Sequence, residues 1–147
     1  MHRQKNEELR ASWVASTLNL DWPSKASLSI QNDTERTQVQ KSDLKILDEI
    51  KELHMDIVIF QVKPCADALY RSDILPWSSY LTGALGKSPG FDPLEFAIDQ
   101  AHARGIKLHA WLNPQRVSMD TRSSTIDELN ASSPSLLQAF SSSIRNG

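Results

Sequence analysis

The sequence holds a single cysteine, Cys65, among 147 residues, which excludes an internal disulfide and any metal site built from several thiolates. Long apolar runs are also missing. The longest, Ile57 to Phe60, falls far short of the roughly 18 residues that a membrane-spanning helix needs. Nor is there an excess of one charge, since 16 basic side chains face 18 acidic ones for a formal net charge of -2. No whole-chain field gathers a polyanion, which argues against nucleic acid as a partner. Glycine is scarce at five residues, and the stretch from Gly83 to Gly90 lacks the Gly-Lys-Ser/Thr ending of a phosphate loop. No serine occupies a Gly-x-Ser-x-Gly elbow. The four histidines, His2, His54, His102 and His109, show neither His-x-x-x-His nor His-Glu-x-x-His spacing, so no metal and no other cofactor is expected. The polar start, Met1 to Glu8, has no apolar stretch behind it, so the residues as written carry no secretory signal.

What is present reads as one ordinary globular domain, 39% hydrophobic and 23% charged. A short run centred on Trp13 and Val14, Ala11 to Ser16, predicts a first strand, and the turn-rich stretch from Asn19 to Asp33 predicts a loop. From about Thr34 to His54, Val39, Ile46, Leu47, Ile50 and Leu53 recur at three- and four-residue spacing, which predicts one helix. Asp56 to Val62 is β-branched and nearly continuous in apolarity, as a strand buried on both sheet faces would be. After a long Pro-, Ser- and Gly-containing segment, Lys63 to Phe91, Asp92 is a helix cap with Pro93 in the first turn. Leu94, Ile98 and Ala101 form that helix's inner stripe, and Gly105 ends it. Ile106 to Leu112 then predicts a third strand, closed by Asn113-Pro114. Ser123 to Leu129 fits a short helix, and Ala131 to Ser143, with six serines, reads as marginally structured.

The order β, α, β, α, β implies an α/β fold with parallel strands, either a doubly wound sheet or part of a (β/α)₈ barrel. A complete barrel usually needs about 250 residues, so three βα units at most are expected here. Such a sheet leaves edges unpaired, which opens self-association through an edge. In these folds, functional side chains cluster just past the strands. Three clusters occupy those places. They are Leu20-Asp21-Trp22-Pro23, then Gln61-Val62-Lys63-Pro64 with Asp67-Ala68-Leu69-Tyr70, and then His109-Ala110-Trp111-Leu112-Asn113-Pro114-Gln115-Arg116. Aromatic rings beside amide, acid and base groups suit a sugar, whose apolar ring faces are bordered by hydroxyls.

The strings Leu20-Asp21-Trp22-Pro23, Phe60-Gln61-Val62-Lys63-Pro64, Asp67-Ala68-Leu69-Tyr70, Ile74-Leu75-Pro76-Trp77-Ser78, Leu81-Thr82-Gly83, Pro89-Gly90-Phe91-Asp92-Pro93-Leu94 and His109 to Ser118 resemble, in order, the bacterial glycosyl-hydrolase-like 10 family. The resemblance runs from about Arg10 to Asn130 and covers about the opening third of the family domain. It leaves residues 1–9 as a polar extension and 131–147 as a divergent serine-rich tail. It implies an incomplete TIM-type (β/α)₈ barrel, a cell-wall (peptidoglycan) polysaccharide as partner, and a family compartment in the cell envelope or periplasm. The chain as written would be cytoplasmic or lack its signal. The sequence departs from the family pattern at Ala11 and at Ala66, where glycine is usual, near His54, where a glycine usually ends the first helix, and at Gln115, where tyrosine is usual.

Glycoside hydrolysis normally needs two carboxyl groups about 5 to 9.5 Å apart. Asp21, Asp67, Asp73 and Asp120 stand nearest the expected loop face, and no two of them have motif spacing. The family's acidic motif belongs to later strands. The expectation is therefore a region with no catalytic residue that supplies groove residues: Gln61, Lys63, Asp67, His109, Trp111, Asn113 and Arg116 as substrate contacts, alone inactive. Tyr70, Trp77 and Tyr80 wall the groove or pin loops. The alternative from another class is a noncatalytic remnant that binds glycan or a partner; a doubly wound nucleotide-binding domain lacks its glycine-rich turn.

Overall fold

The computed structural model describes residues 8–119 and 122–132. Three strands, β1 (Ala11–Val14), β2 (Ile57–Lys63) and β3 (Lys107–Leu112), form one sheet in the order β1-β2-β3. Both pairings are parallel, with Trp13 opposite Ile59 and Ile59 opposite His109. The expected α/β class holds: the sheet is open rather than closed, consistent with an incomplete TIM-type barrel. Alternation along the strands gives it two unlike faces. Val14, Val58, Phe60, Val62 and Ile106 are buried on one face beneath the helices. Each such side chain contributes about 1.5 to 3 kcal/mol by leaving water. Trp13, Ile59, Gln61, His109 and Trp111 share the other.

The helix expected from Thr34 to His54 is two helices, α1 (Asp33–Asp43) and α2 (Ile46–Glu52), separated at Leu44 and Lys45. Asn32 caps α1 by accepting from the Glu35 N–H at 3.0 Å. The expected stripe is only partly inside: Leu47 and Ile50 are buried, whereas Leu53 is 64% exposed. On α1 the buried positions are Arg36 and Gln40. Gln40 earns its place through hydrogen bonds, donating from Nε2 to the Leu81 carbonyl at 2.7 Å and to Ser27 Oγ at 3.1 Å. Its backbone carbonyl accepts the indole N–H of the fully buried Trp22 at 2.8 Å. The donor side of the buried amide is thus bonded, which offsets its burial, while Oε1 has no hydrogen-bond partner among the described residues. The bond between Trp22 and Pro23 is cis.

Helix α2 ends on His54, at φ 56°, with Met55 N–H donating to the Ile50 carbonyl at 3.1 Å, the six-to-one bond of a left-handed C-terminal cap. The long segment after β2 is not featureless, since it contains the short helix α3 (Ser79–Thr82) and a parallel bridge between Ala68 and Trp77. Helix α4 (Pro93–Ala103) starts as its sequence requires. Asp92 Oδ1 accepts from Leu94 and Glu95 at 3.1 Å each, and its Oδ2 accepts from Arg71 N–H at 2.9 Å. Buried on α4 are Pro93, Ala97 and Ala101, with Leu94 and Ile98 half-buried. Gly105, at φ 72°, ends it. The expected short helix near the end is α5 (Ser123–Ser132). The serine-rich stretch expected to be marginally structured lies, from residue 133 onward, outside the described residues, as does Asp120. No helix among the described residues is long and apolar enough to cross a membrane.

Candidate functional site

The three strands run parallel, so the loops that follow them gather at one end of the sheet, where α/β folds place their sites. The β1 loop leaves the sheet through Ser16 and Thr17 into two consecutive left-handed residues, Leu18 (φ 57°) and Asn19 (φ 52°). That conformation costs roughly 1 to 2 kcal/mol per residue for side chains with a Cβ, so other bonds must hold it. Asn19 Nδ2 donates to the carbonyls of Pro23 and Tyr80 at 2.9 Å each. Ala15 N–H donates to Asp21 Oδ2 at 2.7 Å.

The β2 and β3 loops are stitched together. The register shifts between Gln61 and Lys63, which brings Lys63 Nζ to the carbonyls of Cys65 (2.8 Å) and Asn113 (2.9 Å). Asn113 Nδ2 donates to the Pro64 carbonyl at 3.0 Å, and Asn113 Oδ1 accepts the Trp111 indole N–H at 3.0 Å. Ala66 N–H donates to the Val117 carbonyl at 3.0 Å.

Asp67, only 5% exposed, accepts the Cys65 N–H at 2.9 Å and bonds Ser78. Burial nonetheless pushes its carboxyl above the ordinary value of 3.8, outweighing Ser78, the Cys65 N–H and the nearby Lys63 charge. Burial likewise raises the Tyr80 phenol and pushes the Cys65 thiol up to about 11. Asp67, Cys65 and Tyr80 line a cavity of about 310 Å³ with Leu18 from the β1 loop, Met119 from the β3 loop and Glu128 from α5. A partly apolar pocket with a few polar groups has the character of a small-molecule site.

The residues expected to contact substrate separate into four groups. Lys63, Asp67 and Asn113 meet at the stitched loops. His109 and Trp111 stand on the open sheet face, His109 exposed and Trp111 half-buried. Arg116 is exposed on the β3 loop, with Nη1 3.7 Å from Met119 Sδ, and does not line the cavity. Gln61 is buried, and its amide oxygen is taken up by Ser16 and Thr17. Trp13, which the sequence signals only as a strand residue, is 61% exposed. Its ring meets Trp111 edge to face at 5.2 Å between centroids. Of the expected loop-wall residues, Tyr80 lines the cavity, whereas Tyr70 and Trp77 pack against the core. Asp21 and Asp73 are exposed. Among the described residues, no three His, Cys, Asp or Glu side chains gather where they could hold a metal ion.

Comparison with known proteins places the chain in a family. Residues 8–143 match the family model described as Glycosyl hydrolase-like 10. The chain is 47% identical over 130 residues to glycosyl hydrolase DigH of Escherichia coli (strain K12), an alignment covering 88% of this chain and 30% of that protein. It is 49% identical over 118 residues to glycosyl hydrolase YngK of Bacillus subtilis (strain 168), covering 80% and 22%. The chain thus spans less than a third of the length of either relative. At that coverage of its own residues, the chain belongs to the glycosyl hydrolase-like 10 family.

Proposed function

We propose that these residues form one wall of a glycan-binding groove in a glycoside hydrolase-like protein whose complete form cleaves a bacterial cell-wall glycan. The observation that carries this reading is the convergence of the three strand-end loops on one cavity, with Asp67 and Tyr80 in its wall and an exposed tryptophan pair on the adjoining sheet face. Lys63, Asp67, Asn113 and Arg116 would order hydroxyl and amide groups, while His109, Trp111 and Trp13 would face sugar rings. Gln61 supports that wall from beneath. The two carboxyl groups that cleavage requires are assigned to the portion of the relatives that this chain does not span. The matching compartment is the cell envelope or periplasm.

The test is a titration of the 147-residue chain with a soluble peptidoglycan glycan tetrasaccharide, followed by NMR of the indole N–H groups. Saturable shifts at Trp111, with a dissociation constant near 1 mM, about -4 kcal/mol, and no turnover are expected. Absence of saturation sinks glycan binding, and hydrolysis abolished by Asp67→Ala sinks the noncatalytic assignment. A second reading, pairing of the open sheet edge with a partner strand or another copy, draws on the exposure of Trp13 and Leu112. Concentration-dependent dimerisation in sedimentation experiments, blocked by Leu112→Lys, would favour it.

A further inference from the structure

The regular ladder between β1 and β2 ends at Val14 opposite Phe60. Beyond it, no strand pairing ties the β1 loop to the sheet. Gln61 takes over that task. It lies on β2 opposite Trp111, and although its sheet face is the open one, it is 1% exposed. Its Oε1 accepts from Ser16 N–H at 2.9 Å, Ser16 Oγ at 3.3 Å, Thr17 N–H at 2.9 Å and Thr17 Oγ1 at 2.9 Å. All four donors come from the two residues that precede the left-handed pair Leu18 and Asn19. From there the bonding continues: Asn19 Nδ2 reaches the Tyr80 carbonyl at 2.9 Å, and Leu18 and Tyr80 line the cavity with Asp67.

We infer that Gln61 is a positioning residue: it touches no sugar, and it shapes the cavity by holding the Ser16–Thr17 turn so that Leu18 stands in the cavity wall. This inference rests on reading that cavity as part of the glycan groove. The chemistry required of position 61 is specific. An acceptor oxygen must stand two methylene groups from the backbone, which glutamate supplies and leucine does not. Four converging donors also suit a carboxylate in that place.

The experiment uses the 147-residue chain with Gln61→Leu and Gln61→Glu, read by amide hydrogen exchange and by titration with the peptidoglycan glycan tetrasaccharide. Gln61→Leu is expected to speed exchange at Ser16 and Thr17 by about ten-fold or more, to leave Val58 and Phe60 protected, and to weaken glycan binding by about ten-fold. Gln61→Glu is expected to restore both. Unchanged exchange at Ser16 and Thr17 in Gln61→Leu overturns the positioning role, whatever the glycan does. Faster exchange with unchanged affinity overturns the link to the cavity. Protected amides with lost affinity in Gln61→Glu would make Gln61 a direct contact and overturn the inference. If the wild-type chain binds no glycan, the groove reading falls and the cavity link with it, while the exchange data still judge the loop role. If Gln61→Leu does not fold, Thr17→Val supplies the same exchange comparison with one donor removed, expected at about three-fold; no change there counts against the role.

Discussion

Lys63 and Asn113 are bonded in both directions across the ends of β2 and β3: Lys63 Nζ donates to the Asn113 carbonyl at 2.9 Å, and Asn113 N–H donates to the Lys63 carbonyl at 2.9 Å. The first bond is charge-assisted, and Nζ also serves the Cys65 carbonyl. Lys63→Met keeps the aliphatic stem and removes both bonds. A loss of about 1.5 to 3 kcal/mol in urea unfolding is expected; a loss below about 0.5 kcal/mol would show that water replaces the ammonium at no cost.

His54 occupies a left-handed position at φ 56°, and its side chain is exposed. Its Cβ is a steric cost there. His54→Gly is expected to stabilise the chain by about 0.5 to 1 kcal/mol, the gain being reduced by the greater freedom of glycine in the unfolded chain. Thermal unfolding measures it, and a lower melting temperature would contradict the cap assignment.

Asp67 makes stability depend on pH with a definite sign. Burial holds its carboxyl above 3.8 in the fold, so the folded state binds the proton more tightly than the unfolded chain. The contribution is full below about 3.8 and is lost as pH rises through the folded value. Asp67→Asn remains neutral and keeps an oxygen for the Cys65 N–H. Its melting temperature is expected to match wild type near pH 3.5 and to exceed it increasingly above. The opposite trend would mean that the bonds from Ser78 and Cys65 outweigh burial.

The buried Cys65 thiol, pushed up to about 11, holds almost no thiolate at pH 8. Since the thiolate is the nucleophile, labelling by an aromatic disulfide reagent at pH 8 is expected to be at least ten-fold slower in the native chain than in urea. Equal rates would place the β2 loop in an open conformation.

The sequence made the strand positions and the α4 boundaries legible because they rest on local chemistry: β-branched runs in β2, and Asp92, Pro93 and Gly105 around α4. The break in the first helix was not legible, because Leu44 and Lys45 carry no helix-breaking side chain. Burial of Gln40 was equally hidden, since its partner Leu81 comes from a distant part of the chain; Arg36 is buried although its partners, Asp33 and the Ile30 carbonyl, are local. At the site, chain order located the strand-end loops but could not separate residues that face a cleft from those that hold it open. Gln61 and Lys63 lie two residues apart, and only the three-dimensional neighbours show the first bonded to the β1 loop and the second to the β3 loop. Trp13 escaped notice because a strand tryptophan ordinarily packs.

The edge-to-face contact of Trp13 with Trp111 spans the sheet from its first strand to its third, passing over β2. Two indoles so close couple their electronic transitions, so the pair is a built-in chromophore whose circular dichroism reports on the register of all three strands at once. Trp22, sealed on the opposite side against Phe60, and Trp77, packed against the same core, fluoresce from drier surroundings and report on that side. One unlabelled sample therefore carries separate optical signals for the two faces of the sheet, and the order in which they vanish on unfolding tells which face opens first.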